Sequence, residues 1–202
     1  MNIAIIPARG GSKRIPRKNI KQFCGKPIIA YSIEAAKNSG IFDEIIISTD
    51  DEEIASIAKN LGAKVPFLRP TELSDDFSTT GDVMAHAVQW LNEKNLGNIN
   101  TVCCIYATAP FIQIKDLLKA VGIFDKKKWS FVFSATTFPF PIQRAIKRLK
   151  YGGIEMFQPE QFESRSQDLE EAYHDAGQFY FGKPVAWLNN EKMFENNLFF
   201  FK

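Results

Sequence analysis

The sequence predicts an α/β domain with a Rossmann-like, mostly parallel sheet and helices on both faces. Short apolar segments of strand length alternate with longer segments in which apolar residues recur at helical spacing. Alternation of this kind is typical of parallel sheets covered on both sides. With 202 residues, 45% of them hydrophobic, the chain is long enough for one sizeable core, so we expect a single domain, 1–202.

Five strands are predicted from apolar runs, at 3–6, 45–47, 65–68, 102–106 and 131–134. A first helix is predicted at 27–38, because Pro27 stands at its start and Gly40 follows its end. A second begins after Asp50, where Glu53 completes a capping pattern. Apolar spacing predicts two further helices, at 83–91 and 117–124.

The pattern changes after Thr136. Phe138-Pro139-Phe140-Pro141 is followed by a basic run from Arg144 to Lys150 and then by Tyr151-Gly152-Gly153. Proline and aromatic residues at this density predict an inserted arm or subdomain at about 137–176.

Basic residues are concentrated near the start of the chain. Seven precede the first acidic residue, Glu34: Arg9, Lys13, Arg14, Arg17, Lys18, Lys21 and Lys26. Removing them from the 25 basic residues leaves 18 against 23 acidic residues, so the positive charge is local. A chain that is nearly neutral outside one loop is not expected to bind nucleic acid or a membrane surface generally.

The loop 8–19 follows the first predicted strand. Ligands of such sheets bind beyond the carboxyl ends of the strands, where this loop would project. It matches neither the Walker A nor the dinucleotide-binding glycine pattern. Gly10 and Gly11 would let backbone N–H groups approach phosphate oxygens, and Ser12 could donate a hydrogen bond. Arg9 and Lys18 could neutralise a triphosphate from two sides, so the loop predicts a nucleotide site.

The cysteines and the apolar runs indicate a cytoplasmic location. Cys24, Cys103 and Cys104 make an odd count, and the adjacent pair could not form a disulfide without strain. No basic segment precedes a long apolar run, and nowhere do about 18 apolar residues follow one another. A His/Cys metal site is not expected, because the ligand spacing is missing.

Several segments together resemble the acylneuraminate cytidylyltransferases, a family that activates nine-carbon acidic sugars. The segment 5–19 resembles the family signature, and further similarity lies at 48–50, 68–73 and 106–110. Within the family, 165–180 is most similar to the branch that acts on pseudaminic acid. The resemblance extends from Met1 to about Phe201 and implies a fold of the nucleotide-diphospho-sugar transferase type.

The resemblance also implies roles for individual residues. Arg9 and Lys18 would be catalytic, with Lys18 stabilising charge that develops at the α-phosphate of CTP. The CTP-binding residues would be Ala8, Arg9, Gly10, Gly11, Ser12, Lys18, Asn19, Arg69 and Thr80. The sugar side would comprise Tyr106, Arg165, Gln167, His174 and Gln178, with Arg165 a candidate for the sugar carboxylate. For two of these residues a structural role is the alternative to sugar binding. Arg165 would then pair with Asp168 or Glu170, and His174 would serve the fold. His86 is expected to be a packed or surface residue of a helix and not a catalyst.

The implied reaction is CMP transfer from CTP to pseudaminic acid, for surface glycan or flagellin glycosylation. The sugar's anomeric hydroxyl would attack the α-phosphorus, with Mg²⁺ on the phosphate oxygens and pyrophosphate as the second product. A synthetase for CMP-sialate, CMP-legionaminate or a Kdo-type sugar is an alternative, as is a nucleic-acid binder. A homodimer is expected, its arms exchanged between subunits.

Family members usually continue into an acidic Asp-Ile-Asp-Thr-like segment that supplies metal ligands. No Asp-x-Asp occurs in the 202 residues, so the protein ligands of Mg²⁺ are unknown and activity would require ligands from elsewhere, such as Asp175 or a partner subunit. An inactive, shortened CTP-binding product is the alternative.

Overall fold

The computed structural model describes residues 1–95, 97–126, 129–194 and 198–202. The chain divides into two compact units: unit 1 contains Met1–Ser134 and Gly177–Phe201, and unit 2 contains Ala135–Ala176 with Lys202. The strands are β1 Asn2–Pro7, β2 Gln22–Phe23, β3 Lys26–Pro27, β4 Glu44–Ser48, β5 Thr101–Ile105, β6 Phe131–Thr137, β7 Ile146–Arg148, β8 Ile154–Met156, β9 Tyr173–Gly182 and β10 Leu198–Phe201. The helices are α1 Ile28–Ser39, α2 Glu52–Asn60, α3 Thr80–Glu93, α4 Ile114–Phe124 and α5 Pro184–Leu188.

The main sheet has the strand order β10-β6-β9-β5-β1-β4. Strand β1 lies between β4 and β5 and pairs in parallel with both, so that Ile3 is opposite Glu44 on one side and Val102 on the other. Strand β9 runs antiparallel to β5, and β10 pairs in parallel with β6. The prediction of a mostly parallel sheet is confirmed.

Helices cover both faces of this sheet. Ala4 and Ile6 of β1 belong to a core that also contains buried residues of α1, α2 and α4. Ile3 and Ile5 are equally buried but point to the opposite face, because successive strand side chains alternate. Trp187 of α5 donates from Nε1 to the carbonyl of Val102, at 3.0 Å. The strands are apolar on both sides because neither face meets water.

The predicted helices are present, and α1 ends as expected. Gly40 follows α1 in the left-handed conformation (φ 68°), and its N–H donates to the Lys37 carbonyl at 3.3 Å.

The prediction of a strand at 65–68 is wrong. Only two isolated bridges form there, Ile46 with Lys64 and Thr49 with Leu68. Pro66 has no N–H to donate within this segment, which interrupts a continuous ladder.

The predicted cap of the second helix is wrong by one residue. Asp51, not Asp50, is the N-cap of α2, and its carboxylate accepts from the Ile54 N–H at 2.9 Å. Asp50 faces the loop after β1 instead. Asp51 therefore caps α2, while Asp50 binds the backbone of the loop at Gly10.

The aromatic run at 198–201 forms strand β10, for which the apolar-run analysis predicted no strand. It lies at the edge of the sheet beside β6. Phe201 is buried against the core, while Phe200 is 41% exposed.

Unit 2 contains a two-stranded antiparallel hairpin, β7 with β8. The carbonyl of Ser164 accepts a hydrogen bond from Arg144, and that of Glu170 accepts one from Gln143 at 2.9 Å. Apolar side chains stand exposed on this unit: Phe140, Ile146, Tyr151, Ile154, Phe157 and Phe162. The predicted role of 137–176 as a dimerisation arm stays a prediction.

A glycine at the end of β9 tests the packing of α5. A Cβ at Gly182 would lie 2.4 Å from Nε1 of Trp187 and 2.7 Å from the ring of Phe131. We expect Gly182→Ala to lower the free energy of unfolding by about 1–3 kcal/mol, because both rings are buried and cannot move away. Urea denaturation measures the change.

The matched control is Gly122→Ala in α4, where a Cβ would have no neighbour within 4 Å. Alanine in an open helix position is expected to raise stability by roughly 0.5–1 kcal/mol. Equal stability of the two variants would contradict the packing described for Gly182.

Candidate functional site

Two adjoining clefts lie at the carboxyl end of β1. The first has a volume of about 540 Å³ and is lined by Arg9, Ser12, Lys13, Arg14, Ile15, Lys18, Asn19 and Asp76. The second, of about 350 Å³, is lined by Pro7, Arg9, Lys18, Asn19, Arg69, Ser78, Thr79, Thr80, Val83, Tyr106, Ala107 and Thr108. Arg9, Lys18 and Asn19 line both. Both linings carry more basic than acidic residues, and we call the two sites the first cleft and the second cleft.

The loop between β1 and the short 3₁₀ turn Lys18–Ile20 is held by hydrogen bonds to distant strands. The Ala8 N–H donates to the Ser48 carbonyl at 2.9 Å, which extends the β1–β4 ladder into the loop. The Gly10 N–H donates to Oδ1 of Asp50 at 2.9 Å. Asn19 is buried and its amide donates to the carbonyl of Arg9, at 2.9 Å. These contacts fix the loop without using the side chains of Arg9 or Lys18.

Lys18 and Arg9 differ in their surroundings. Lys18 is half-buried and makes no ion pair within the described part of the chain. Arg9 already has partners: it donates to the backbone carbonyl of Asp75, and its Nη2 lies 2.9 Å from Oδ1 of Asp76. Of the two predicted catalytic cations, Lys18 can bind a ligand without first breaking an ion pair, whereas Arg9 would have to leave Asp76.

Arg69 is a buried cation in the wall of the second cleft. Its side chain is 3% exposed, and Nη2 lies 3.7 Å from Oδ1 of Asp50. Among the described residues, neither Nε nor Nη2 has a hydrogen-bond partner. Burial lowers the pKa of Arg69, an effect that Asp50 partly opposes. A buried cation with unused donors is suited to bind a polar ligand that enters the cleft.

Predicted nucleoside and sugar residues meet in the second cleft. Thr80 is the first residue of α3, and its hydroxyl lies 3.4 Å from that of Tyr106. The Tyr106 N–H donates to the Gln178 carbonyl at 2.9 Å. Thr80 and Tyr106 therefore lie together, and Gln178 is bound to Tyr106 through its backbone.

The remaining predicted sugar residues belong to unit 2. Arg165 precedes the short turn Ser166–Asp168, which contains Gln167, and forms no ion pair within the described residues. His174 donates from Nδ1 to the backbone carbonyl of Asp175 at 2.9 Å, and its ring packs on Phe138 with centroids 4.8 Å apart. Their place in a sugar site stays a prediction.

Asp76 is a site residue that the sequence reasoning missed. Its carboxylate pairs with Arg9 and with Lys13, and the hydrogen bond from Lys13 is the main reason that the pKa of Asp76 is lowered. The turn is held by Asp75, whose Oδ1 accepts from the Ser78 N–H at 2.7 Å. Asp76 lies more than 60 residues from Arg9 in sequence, so no local pattern could have shown the pair.

The Asp76 carboxylate forms ion pairs with Arg9 and Lys13, the cations that a phosphate group would bind. We expect Asp76→Asn to bind CTP roughly two- to tenfold more tightly, because the ligand no longer displaces a carboxylate from Arg9 and Lys13. Isothermal titration calorimetry measures the affinity. Asp125→Asn, which removes an exposed carboxylate outside both clefts, is the control for net charge. Weaker or unchanged binding by the Asp76 variant would contradict the competition.

The described carboxylates do not form a metal site. Within the four described stretches, no three His, Cys, Asp or Glu side chains lie close enough together to hold a metal ion. Asp76 lines the first cleft and is already paired with Arg9 and Lys13. Asp50 accepts from the Gly10 N–H and pairs with Arg69. These residues do not fit a protein-held Mg²⁺.

His86 is a packed helix residue, as its position in the predicted helix suggested. Its ring lies edge-on to Phe67, with centroids 5.2 Å apart, and burial is the main cause of its lowered pKa. All three cysteines are free. No described helix has the length and apolar character needed to cross a membrane.

Comparisons with known proteins agree with the geometry. A protein-family model described as cytidylyltransferase matches residues 3–197. The chain is 52% identical to the pseudaminic acid cytidylyltransferase of Campylobacter jejuni subsp. jejuni serotype O:2, over 96% of this chain and 83% of the relative. It is 30% identical to the N-acylneuraminate cytidylyltransferase of Escherichia coli O18:K1:H7, over 95% of this chain and 44% of that relative.

Among solved structures, the chain is similar to CMP:2-keto-3-deoxy-manno-octonic acid synthetase complexed with CTP. The TM-score is 0.69 with 17% sequence identity, over 96% of this chain and 79% of the other. At that identity the likeness shows the fold alone.

Proposed function

Because this chain belongs to the cytidylyltransferase family, we propose that it transfers CMP from CTP to pseudaminic acid and releases pyrophosphate. The observation that carries the proposal is 52% identity to a pseudaminic acid cytidylyltransferase over nearly the whole chain. The two adjoining clefts support it: one is cationic, as a triphosphate requires, and the other has a buried guanidinium for the nucleoside.

In the proposed reaction, the anomeric hydroxyl oxygen of the sugar forms a bond to the α-phosphorus. The bond from that phosphorus to the bridging oxygen breaks, pyrophosphate leaves, and the hydroxyl proton passes to solvent water. Lys18, at the boundary of the two clefts, stabilises the charge that develops on the α-phosphate oxygens. Arg9, Ser12 and the N–H of Gly11 hold the outer phosphates, whereas the Gly10 N–H donates to Asp50 and supports the loop backbone beside them.

Arg69 and Thr80 are proposed to bind the nucleoside, with Ala8 and Asn19 beside it. The unused Nε and Nη2 donors of Arg69 support this role, because a bound acceptor would relieve the cost of their burial. Tyr106 and Gln178 would begin the sugar side, where Arg165 supplies a forked cation for the sugar carboxylate. Gln167 and His174 would contact the sugar with them.

Mg²⁺ is proposed to accompany the triphosphate, with no protein ligand assigned to it, and would neutralise phosphate charge when bound.

We further propose that the protein is a cytoplasmic homodimer. The exposed apolar side chains of unit 2 support the dimer, because isolated subunits seldom leave so many in water. Analytical ultracentrifugation is expected to show a dimer, and a monomer at all concentrations would contradict it.

The direct test is an assay of pyrophosphate release with CTP, Mg²⁺ and pseudaminic acid. N-acetylneuraminic, legionaminic and Kdo-type acids are tested in parallel. We expect the highest kcat/KM with pseudaminic acid. Preference for another sugar would correct the substrate, while CTP binding without turnover of any sugar would favour a binding protein over an enzyme.

A further inference from the structure

Arg17 belongs to the cationic loop, but its guanidinium lines neither cleft. It binds both carboxylate oxygens of Asp51, with Nη2 2.8 Å from Oδ1, and donates a further hydrogen bond to Glu53. Two parallel hydrogen bonds between a guanidinium and a carboxylate fix distance and orientation together. This cation is therefore directed at the start of α2 and not at a ligand.

Asp51 is itself held rigidly. Its carboxylate caps α2 through the Ile54 N–H at 2.9 Å, and its own N–H donates to the hydroxyl of Thr49 at 3.1 Å. The neighbouring Asp50 takes the Gly10 N–H. The turn between β4 and α2 thus binds the cationic loop at two points, near its beginning at Gly10 and near its end at Arg17.

The first of these points leaves no room for a side chain. A Cβ at Gly10 would lie 2.6 Å from Oδ2 of Asp51, one of the two oxygens that Arg17 binds. The loop and the helix cap are therefore packed directly on each other. A movement of Asp51 would therefore shift the loop both at Gly10 and at Arg17.

The backbone at Arg17 is unusual for a residue with a side chain. It adopts the left-handed conformation, with φ 55° and ψ 31°, which costs free energy at any residue except glycine. Lys18 follows immediately and begins the 3₁₀ turn Lys18–Ile20. The direction of Lys18 into the clefts depends on this conformation, and the contacts to Asp51 and Glu53 hold it.

We propose that Arg17 is a positioning residue, whose clamp on Asp51 holds Lys18 and the loop backbone at Gly10 in place for the triphosphate. This inference rests on the proposed function for its effect on catalysis. Arg17, one of the seven basic residues that precede Glu34, thus supports the site without contacting the ligand.

The clamp persists over the pH range of ordinary assays. Chiefly through its hydrogen bond, Arg17 lowers the pKa of Asp51 from 3.8 to about 2. Because the folded pKa is the lower one, the pair stabilises the protein above about pH 4 and loses its effect as the pH falls through about 2. Changes in activity between pH 6 and pH 9 are therefore not expected to come from this pair.

The kinetic test compares Arg17→Ala, Arg17→Lys, Asp51→Ser and the double variant R17A/D51S. Serine at position 51 can still cap α2, so Asp51→Ser removes the clamp alone. We expect Arg17→Ala to lower kcat/KM roughly 10- to 100-fold, mostly through kcat, because a misplaced Lys18 loses its alignment. Lysine should recover part of the loss, and the double variant should be no worse than Arg17→Ala. Lys64→Ala, which breaks the exposed pair with Glu44, is the control and is expected to act like wild type.

A second measurement does not depend on activity. Hydrogen exchange at residues 18–20 is expected to be faster in Arg17→Ala and in Arg17→Gly than in wild type. Glycine keeps the left-handed conformation accessible, so Arg17→Gly serves for both measurements if alanine prevents folding. Unchanged exchange, kcat/KM within twofold of wild type in R17A, or additive effects of R17A and D51S would each overturn the inference. If the wild-type protein shows no transfer activity but exchange is faster in the Arg17 variants, the clamp is supported and the proposed reaction is refuted.

Discussion

Replacing Lys18 with alanine is expected to lower kcat for CMP transfer by about 10²- to 10³-fold. Removal of one preorganised donor to a developing oxyanion has effects of this size in other enzymes. Lys18 lines both clefts and makes no ion pair among the described residues, so its charge is available where the phosphates would lie. The Michaelis constant for CTP is expected to rise much less than kcat falls. Steady-state pyrophosphate release measures both.

Lys21→Ala is the matched control for this substitution. Lys21 follows the same 3₁₀ turn, is exposed and lines neither cleft, so its loss should change kcat by less than about twofold. Lys18→Arg keeps the charge and should retain part of the activity. If Lys18→Ala stays within fivefold of wild type while CTP turnover is intact, the catalytic role belongs to Arg9 or to another residue.

Replacing Arg69 with methionine is expected to weaken CTP binding by roughly 30- to 100-fold, since hydrogen bonds to a charged group contribute about 1.5–3 kcal/mol. Without CTP, the free energy of unfolding should be unchanged or higher. The guanidinium is buried, and among the described residues Nε and Nη2 have no hydrogen-bond partner, only the long 3.7 Å ion pair of Nη2 with Asp50. Methionine removes that cost while filling a similar space. Asp50 keeps the Gly10 N–H and partial access to water, so it tolerates the loss.

Calorimetry of CTP binding and urea denaturation without ligand separate these two effects. Lys64→Met removes a surface cation and is expected to leave both measurements near wild type. Strong destabilisation of Arg69→Met would show that the guanidinium serves the fold. Binding of CTP within threefold of wild type would show that it does not serve the nucleotide.

Much of the fold was accessible from the sequence, because strand and helix patterns are local. The apolar runs of β1, β4 and β5 and the termini of α1 needed no knowledge of distant residues. The errors have local causes that compete with those patterns. Pro66 interrupts a run that otherwise has strand composition, and two adjacent aspartates offered two equivalent caps, of which Asp50 was the wrong choice.

The positions of the cations along the chain, and the paired glycines beside them, can be read from the sequence alone. The partner of each cation becomes apparent only in the folded chain. Arg17 binds Asp51, Arg9 and Lys13 bind Asp76, and Lys26 binds Glu34, whereas Lys18 has no such partner among the described residues. The physical reason is that an ion pair depends on distance in space. The β1–β4 ladder brings position 51 to the loop and the turn at 75–78 brings Asp76, although neither is near it in sequence.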